Sequence, residues 1–445
     1  MRVVVVGGGA AGITAARTAR ELGAEVTLIT EDDRVAYSPC AIPFVLSGEI
    51  EDADSIVMRD PEYYERLGIN LRLETRVEEV DPEEGIVETE DETFEFDAAV
   101  LAVGGEPLIP PIEGSDLDGV LTVRWFSDIE RLERAVQSAE RAVVVGAGPI
   151  GVEMAHALRS RGLEVTLVEM LDRVLPQLLD GDTAAELQEV MEKEGVRVLL
   201  GDPVERIEGD ESVEAVVVGG EEIEADLVVM AAGVRPRTEL FEAMGASVTP
   251  FGVEVDPALR VKSEDGGVME GVYAAGDCVA DWCPITGETV PSQLGTVAVR
   301  QGRIAGRNAV EGPKITWPGT LNTAVVCAFG LEAAGCGLTE ARAEEVGMEV
   351  VSATVSTTTR ARYYPGGEEI TVKLIADAYT HRIVGAQAVG GERVRERVDA
   401  IALAIRLGAK VEDLLSWDYS YSPPVARVVE PFYEAAERLR EELKG

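Results

Sequence analysis

One unit occurs twice in this chain, and the repeat constrains the fold more than any other feature of the sequence. In the first copy, Arg2 to Val6 is a continuous apolar run that reads as a strand. Gly7-Gly8-Gly9-Ala10-Ala11-Gly12 follows as G-x-G-x-x-G, then a helix-spaced stretch, ITAARTARELG, then a second strand, AEVTLITE, ending at Glu31. Glu31 lies 24 residues after the first glycine. Between a strand and a helix, this pattern signals a dinucleotide site. The glycines let the backbone approach a pyrophosphate at a helix N-terminus, and the closing acid takes a ribose hydroxyl. The second copy, RAVVVGAGPIGVEMAHALRSRGLEVTLVE, runs from Arg141 to Glu169, with Gly146, Gly148 and Gly151 as its glycines and Glu169 as its closing acid. Two such folds in one chain imply two dinucleotides and electron flow between them.

A chain of 445 residues is long enough for two to four domains. The net charge of −42 repels nucleic acid and anionic membranes, so neither is an expected partner. The longest apolar runs are too short to span a bilayer, and no long apolar stretch opens the chain, so a cytoplasmic protein is expected. Five cysteines, at 40, 278, 283, 327 and 336, do not suggest a disulfide scaffold. The only histidines are His156 and His381, which leaves little for a zinc site, and no metal is expected.

Three further stretches stand out. EGVYAAGDCVA, residues 270–280, reads as a short strand ending in Gly276-Asp277, where an Asp can accept a hydrogen bond from a ribityl hydroxyl. VLAVGG (100–105) and LVVMAAGVRP (227–236) are apolar strands ending in glycine. From about Trp317 the pattern changes to antiparallel-looking strands with helices beside them, including an amphipathic helix over 392–408 and a charged helix at the C-terminus.

Cys40, in YSPCAIPF, is a lone thiol: residues 41 to 50 hold no second cysteine. Ser38 can cap a helix that Pro39 begins, which puts Cys40 in its first turn; alternatively Pro43 marks the start and Cys40 sits just before it. Either position favours a thiolate. An inert buried thiol is the competing reading.

The order of glycine loop, lone cysteine, second glycine loop, Gly-Asp signature and mixed C-terminal region resembles the pyridine nucleotide–disulfide oxidoreductases over essentially the whole chain. Within that group it is most similar to the single-cysteine branch of coenzyme A disulfide reductases, NADH oxidases and NADH peroxidases. Further matching stretches are QGRIAGRNAVEG (301–312), GLTEARAEEVG (337–347), RYYPGG (362–367) and YSYSPP (419–424). The resemblance implies an α/β protein with two Rossmann-like domains and a C-terminal α+β dimerisation domain. Their expected limits are 1–110 with 232–312 for FAD, 111–231 for NAD(P)H, and 313–445 for the homodimer interface. It also implies that Gly7, Gly9, Ala11, Gly12, Glu31, Ala102, Gly104 and Asp277 hold FAD. Gly146, Gly148, Ile150, Gly151, Glu153, Glu169 and Gly233 are expected to hold NADH, with NADPH as the second candidate.

Relatives with a redox disulfide have C-x4-C, and Val45 stands at the second position here. The resemblance therefore makes Cys40 a nucleophile that cycles with an outside thiol or as a sulfenic acid. Tyr421, with Tyr363 or Tyr364, is expected to serve the departing thiolate. Arg17, Arg20 and Ser38 are expected to bind a CoA-like substrate. Relatives that reduce peroxide or oxygen carry a histidine where this chain has Ala10, which favours a small-molecule disulfide over oxygen species. Coenzyme A disulfide reductases have Asn before the cysteine; Pro39 here widens the choice to persulfides and polysulfides. A flavin-bound sensor or interaction protein is the reading from another class. Cys278 and Cys283 share C-x4-C spacing but follow the Gly-Asp signature, and with Cys327 and Cys336 they are expected to be core residues.

Overall fold

The computed structural model describes residues 1–443; Lys444 and Gly445, the last two of the expected C-terminal helix, lie outside the described residues. The chain divides into two compact units. The first comprises Met1–Ala41, Asp52–Pro107 and Val234–Thr320. Its centre is a six-stranded sheet in the order 260–262, 268–274, 98–101, 2–6, 25–29, 69–72, parallel except for the 260–262 edge. Strand β1 (Arg2–Val6) lies inside that sheet, and Val3 to Val6 are all buried. A strand buried on both faces must be apolar throughout, which is why VVVV does not alternate. Helix α1 (Ala10–Glu21) leads into strand β2 (Glu25–Ile29). The helix Gly295–Glu311 crosses α1 at very short range: a Cβ at Gly302 would lie 2.2 Å from the Ala11 carbonyl oxygen, and one at Gly306 2.4 Å from that of Ala15. Glycine facing an alanine-rich helix is what permits this approach.

The second unit comprises Ile42–Glu51, Leu108–Gly233 and the chain from Leu321 on. Its parallel sheet runs in the order 196–200, 164–169, 141–145, 227–230, 120–122, and holds the second repeat as β3 (Arg141–Val145), α2 (Pro149–Ser160) and β4 (Glu164–Glu169). An antiparallel sheet follows in the order 324–328, 331–337, 383–390, 369–377, 350–358. The expected amphipathic helix is Val394–Arg406, with Val394, Val398, Ile401 and Ile405 buried. The buried Lys373 ammonium meets Asp180 at 3.4 Å, Asp182 at 2.9 Å and Glu340 at 2.5 Å, tying the start of helix Gly181–Lys193 to this sheet.

Apart from shifts of two or three residues at 108–110 and 232–233, and the expected NAD(P)H and interface regions lying in one unit, the compact units differ from the expected limits at two segments. Residues 42–51 belong with the second unit, because Ile42, Val45 and Leu46 are buried there and Arg161 donates to the Leu46 carbonyl at 2.9 Å. Residues 313–320 belong with the first, because Trp317 is buried and its N–H donates to the Pro257 carbonyl at 2.7 Å.

Candidate active site

The two glycine loops have matching geometry. Gly7 has φ +112°, and a Cβ there would lie 2.1 Å from the Ala102 carbonyl oxygen; Gly146 has φ +102°, with the Ala231 oxygen 2.4 Å away. Gly12 and Gly151 would each drive a Cβ to 1.9 Å from the carbonyl oxygen of Gly7 and Gly146 respectively, so these glycines let helix and strand pack closely. Gly9 and Gly148 differ from the others: nothing lies within 4 Å of a Cβ at either. That open space, at the start of α1 and α2 where neither first turn carries an acid, fits a dinucleotide pyrophosphate in both units.

The other expected nucleotide residues surround these loops. Ala11 is buried, and Ala102 and Gly104 follow the strand Ala98–Leu101. Gly104 accepts a 3.0 Å bond from the Arg237 N–H. Gly276, with φ +90°, and half-buried Asp277 follow the strand Val268–Ala274. Ile150 is the second residue of α2, and Gly233, φ +123°, accepts a 2.9 Å bond from the Leu108 N–H. The two closing acids are not equivalent. Glu169 is 7% exposed; one carboxylate oxygen accepts from the Ala147 N–H at 2.8 Å and the other from the Leu171 N–H at 2.9 Å. Glu31 is an exposed acid in an ion pair with Arg237.

Cys40 is exposed, on a single 3-10 turn, Pro39–Ala41, closed by the Ala41 N–H donating to the Ser38 carbonyl at 3.0 Å. The α-helix begins only at Ile42 and takes Pro43 as its second residue, so the turn that Pro39 opens is a separate one. Val45 is buried. Ser38 contributes its backbone, which also donates to the Ile56 carbonyl at 3.1 Å. No disulfide is formed among the described residues. Cys278 and Cys336 are buried, and desolvation pushes both thiols up to about 12; Cys283 is buried too. Cys327 corrects the expectation of a core residue: its side chain is exposed, because it alternates on strand Ala324–Ala328 with Val326 and Ala328, which are buried on the other face. Its thiol is raised by partial burial and by the carboxylates of Glu332, Glu153 and Glu49.

Of the candidate tyrosines, Tyr363 and Tyr421 come together, their hydroxyls 2.8 Å apart. The bond to Tyr363 raises the Tyr421 hydroxyl. Tyr363 is 75% exposed and Tyr421 and Tyr364 are also open to solvent. The candidate arginines divide. Arg17 points its guanidinium at the Tyr63 ring, 6.0 Å from the centroid, and pairs with Glu21 at 3.6 Å. Arg20 is used structurally, donating to the carbonyls of Leu67 at 2.8 Å and Ala24 at 3.0 Å.

Sequence reasoning missed the surroundings of Glu153. Burial raises its carboxyl to about 7, although the Cys327 N–H donates to it. One turn on, His156 stacks edge-on to Phe329, ring centroids 4.9 Å apart, and its Nδ1 accepts from the Phe329 N–H at 3.3 Å. Two residues spaced i, i+3 on α2 therefore grip residues 327–329, where the strand Ala324–Ala328 ends. The spacing alone was the available signal; the partner segment, far away in sequence, was not. Among the described residues no group of acids, cysteines and histidines could hold a metal ion, and no helix is long and apolar enough to cross a membrane.

Comparison with known proteins gives a consistent result. Residues 1–302 match the model for the pyridine nucleotide-disulphide oxidoreductases, and residues 323–431 match the model for that family's dimerisation domain. A Methanocaldococcus jannaschii protein named NADH oxidase is 43% identical, with all of both chains covered. A Pyrococcus horikoshii protein named NAD(P)H coenzyme A polysulfide/persulfide reductase is 34% identical over 99% of this chain and 98% of its own. Among solved structures, an NAD-dependent persulfide reductase from A. fulgidus superposes with a TM-score of 0.96 at 33% identity, covering 100% of this chain and 84% of that one.

Proposed function

This chain belongs to the pyridine nucleotide-disulphide oxidoreductase family, and from that premise we propose that it reduces a small-molecule disulfide or persulfide through Cys40. It is an NAD(P)H-dependent flavin oxidoreductase. FAD, held by the first glycine loop and Gly276-Asp277, supplies the two-electron link between NADH and sulfur. The second loop holds NADH, with Glu153 beside the nicotinamide and Glu169 on the adenosine ribose. A carboxylate there accepts from a 2′-hydroxyl and repels a 2′-phosphate, so NADH is preferred over NADPH.

The observation that carries this reading is the exposed Cys40 thiol with a buried Val45 where a second redox cysteine would stand. The Cys40 thiolate attacks one sulfur of the substrate, RSSR. A Cys40–SR bond forms as the substrate S–S bond breaks, and RS⁻ leaves. Tyr421 of a second copy, its hydroxyl shared with Tyr363, donates the proton. Two electrons from NADH then cleave the Cys40–SR bond, releasing RSH and restoring the thiolate. The full turnover consumes RSSR, NADH and one proton and yields two RSH and NAD⁺. The homodimer that supplies the tyrosines and a cytoplasmic, reducing location are parts of the same proposal. CoA disulfide, CoA persulfide and polysulfide are the candidate substrates, and the coenzyme A named for the Pyrococcus relative supports them.

Cys40→Ser, assayed without oxygen, is expected to abolish disulfide and persulfide reduction while NADH still bleaches the flavin. Normal sulfur turnover by that variant rules the proposal out. The 43% identical relative named NADH oxidase favours a second reading, reduction of oxygen. Aerobic NADH consumption faster than anaerobic disulfide turnover decides for it.

A further inference from the structure

We propose that Asp281 and Gln301 are positioning residues for the flavin, acting through the Gly276 N–H. The inference rests on reading Gly276-Asp277 as the flavin's ribityl site. Asp281 is 0% exposed. A carboxylate held out of water must be satisfied by donors. One of its oxygens accepts from the Trp317 indole N–H at 2.8 Å and from the Trp282 backbone N–H at 2.7 Å; the other accepts from the Gln301 side-chain N–H at 3.0 Å. Gln301, also buried, accepts with its Oε1 from the Gly276 N–H at 2.8 Å. Every bond in this relay therefore has one direction. Trp317 can only donate, so it must face a carboxylate oxygen. The carboxylate can only accept, so Gln301 must turn its NH₂ toward it. With its NH₂ spent there, Gln301 presents oxygen to Gly276.

The residue so fixed immediately precedes Asp277. Gly276 has φ +90°, and a Cβ there would lie 3.0 Å from the Ala11 side chain, so the Gly-Asp turn is pressed against the start of α1. Gln301 lies on the helix that crosses α1 by way of Gly302 and Gly306. The buried carboxylate thus sets the polarity of an amide, and the amide sets the backbone that aims Asp277.

The polarity argument has a specific test. In Asp281→Asn, either orientation of the new amide opposes N–H to N–H, at Gln301 or at the tryptophans. In Gln301→Glu, a second carboxylate faces Asp281. In the double variant the new carboxylate at 301 accepts from both Gly276 and the new amide at 281, so each of the bonds named above is made again. FAD is titrated into deflavinated protein and binding is followed by flavin fluorescence, with apoprotein melting in parallel. Each single variant is expected to raise the FAD Kd about tenfold or more, and the double variant to return to within about threefold of wild type. A single variant that binds FAD normally, or a double variant no better than the singles, overturns the inference. Should the singles fail to fold, a folded, FAD-binding double variant supports it and an unfolded one overturns it. Asp277→Ala separates the two layers. If that change leaves FAD retention intact, the ribityl reading itself fails. If it loses FAD while both singles keep it, only the relay fails.

Discussion

The two nucleotide units share one loop and differ in how the loop is held. In the first, β1 and β2 pair from Arg2 with Glu25 to Val6 with Ile29; in the second, β3 and β4 pair from Arg141 with Glu164 to Val145 with Val168. Glu169 is therefore the first residue past the matched pairs, and its counterpart in the first unit is Thr30. Glu31 comes one residue later. Side chains alternate faces along a strand, so one residue changes what an acid meets. Glu169 turns inward and its two oxygens accept the backbone N–H groups of Ala147 and Leu171. Thr30 is buried in the first unit, while Glu31 reaches outward to Arg237. Two loops that a glycine motif treats as equal are thus held differently: the second is braced from within by its own acid, the first is not.

The largest expected effect probes what the loops have in common. Gly7→Ala and Gly146→Ala place a Cβ into a backbone carbonyl at φ above +100°. Each should destabilise its unit by about 4 kcal/mol or more. Gly9→Ala and Gly148→Ala place a Cβ in open space at φ −77° and −70°, so the apoprotein should melt normally while FAD or NADH binding weakens. Melting curves and nucleotide titrations of the four variants check this; equal melting of Gly7→Ala and Gly9→Ala breaks the assignment of roles within the motif.

The next effect separates the units. Glu169→Ala leaves the N–H of buried Ala147 without its acceptor and that of exposed Leu171 to water, and should cost roughly 1–3 kcal/mol of apoprotein stability as well as NADH affinity. Glu31→Ala removes a solvent-exposed ion pair, worth about 1 kcal/mol or less, and should be felt mainly in FAD binding. If the two variants lose the same stability, the internal brace is not a property of the second unit alone.

The glycine loops were legible because their constraints are local: a strand, a turn at positive φ and a helix start all fall within a dozen residues. The apolar strands, the C-terminal sheet and the amphipathic helix were legible for the same reason, through hydrophobic period. Legibility stopped where a side chain's partner lies far along the chain. Arg20 read as a cation on a helix face, yet it donates to the carbonyl of Leu67, 47 residues further on. Tyr363 and Tyr421 were each named, but only folding selects Tyr363 over Tyr364 as the partner. Cys327 lies in an apolar stretch and read as core; its exposure follows from the strand face it takes, opposite buried Val326 and Ala328, which composition does not encode. Gly276 and Gln301 lie in stretches that the sequence singles out, but the links through Asp281 and Trp317 that join them join residues up to 36 apart and left no mark.

The smallest predicted effect sharpens the comparison at one residue of each helix. Two positions after the last loop glycine, the first unit has Thr14, whose hydroxyl donates to its own helix at the Ala10 carbonyl, 2.7 Å away. The second has Glu153, whose carboxyl burial raises from an ordinary 4.5 to about 7. A raised carboxyl pKa means that folding favours the protonated form. Below pH 4.5 both folded and unfolded chains carry the proton, and Glu153 costs nothing. Between pH 4.5 and 7 the unfolded chain ionises first, so stability falls as pH rises; above 7 the penalty is complete. Partial exposure limits that penalty to about 1–2 kcal/mol. Glu153→Gln keeps the shape without the charge. In nucleotide-free protein it should match wild-type melting at pH 4.5 and melt a few degrees higher at pH 8, whereas Thr14→Val should show no such pH dependence. A Glu153→Gln shift that is the same at both pH values contradicts a carboxyl titrating in this window at the position where α1 has Thr14.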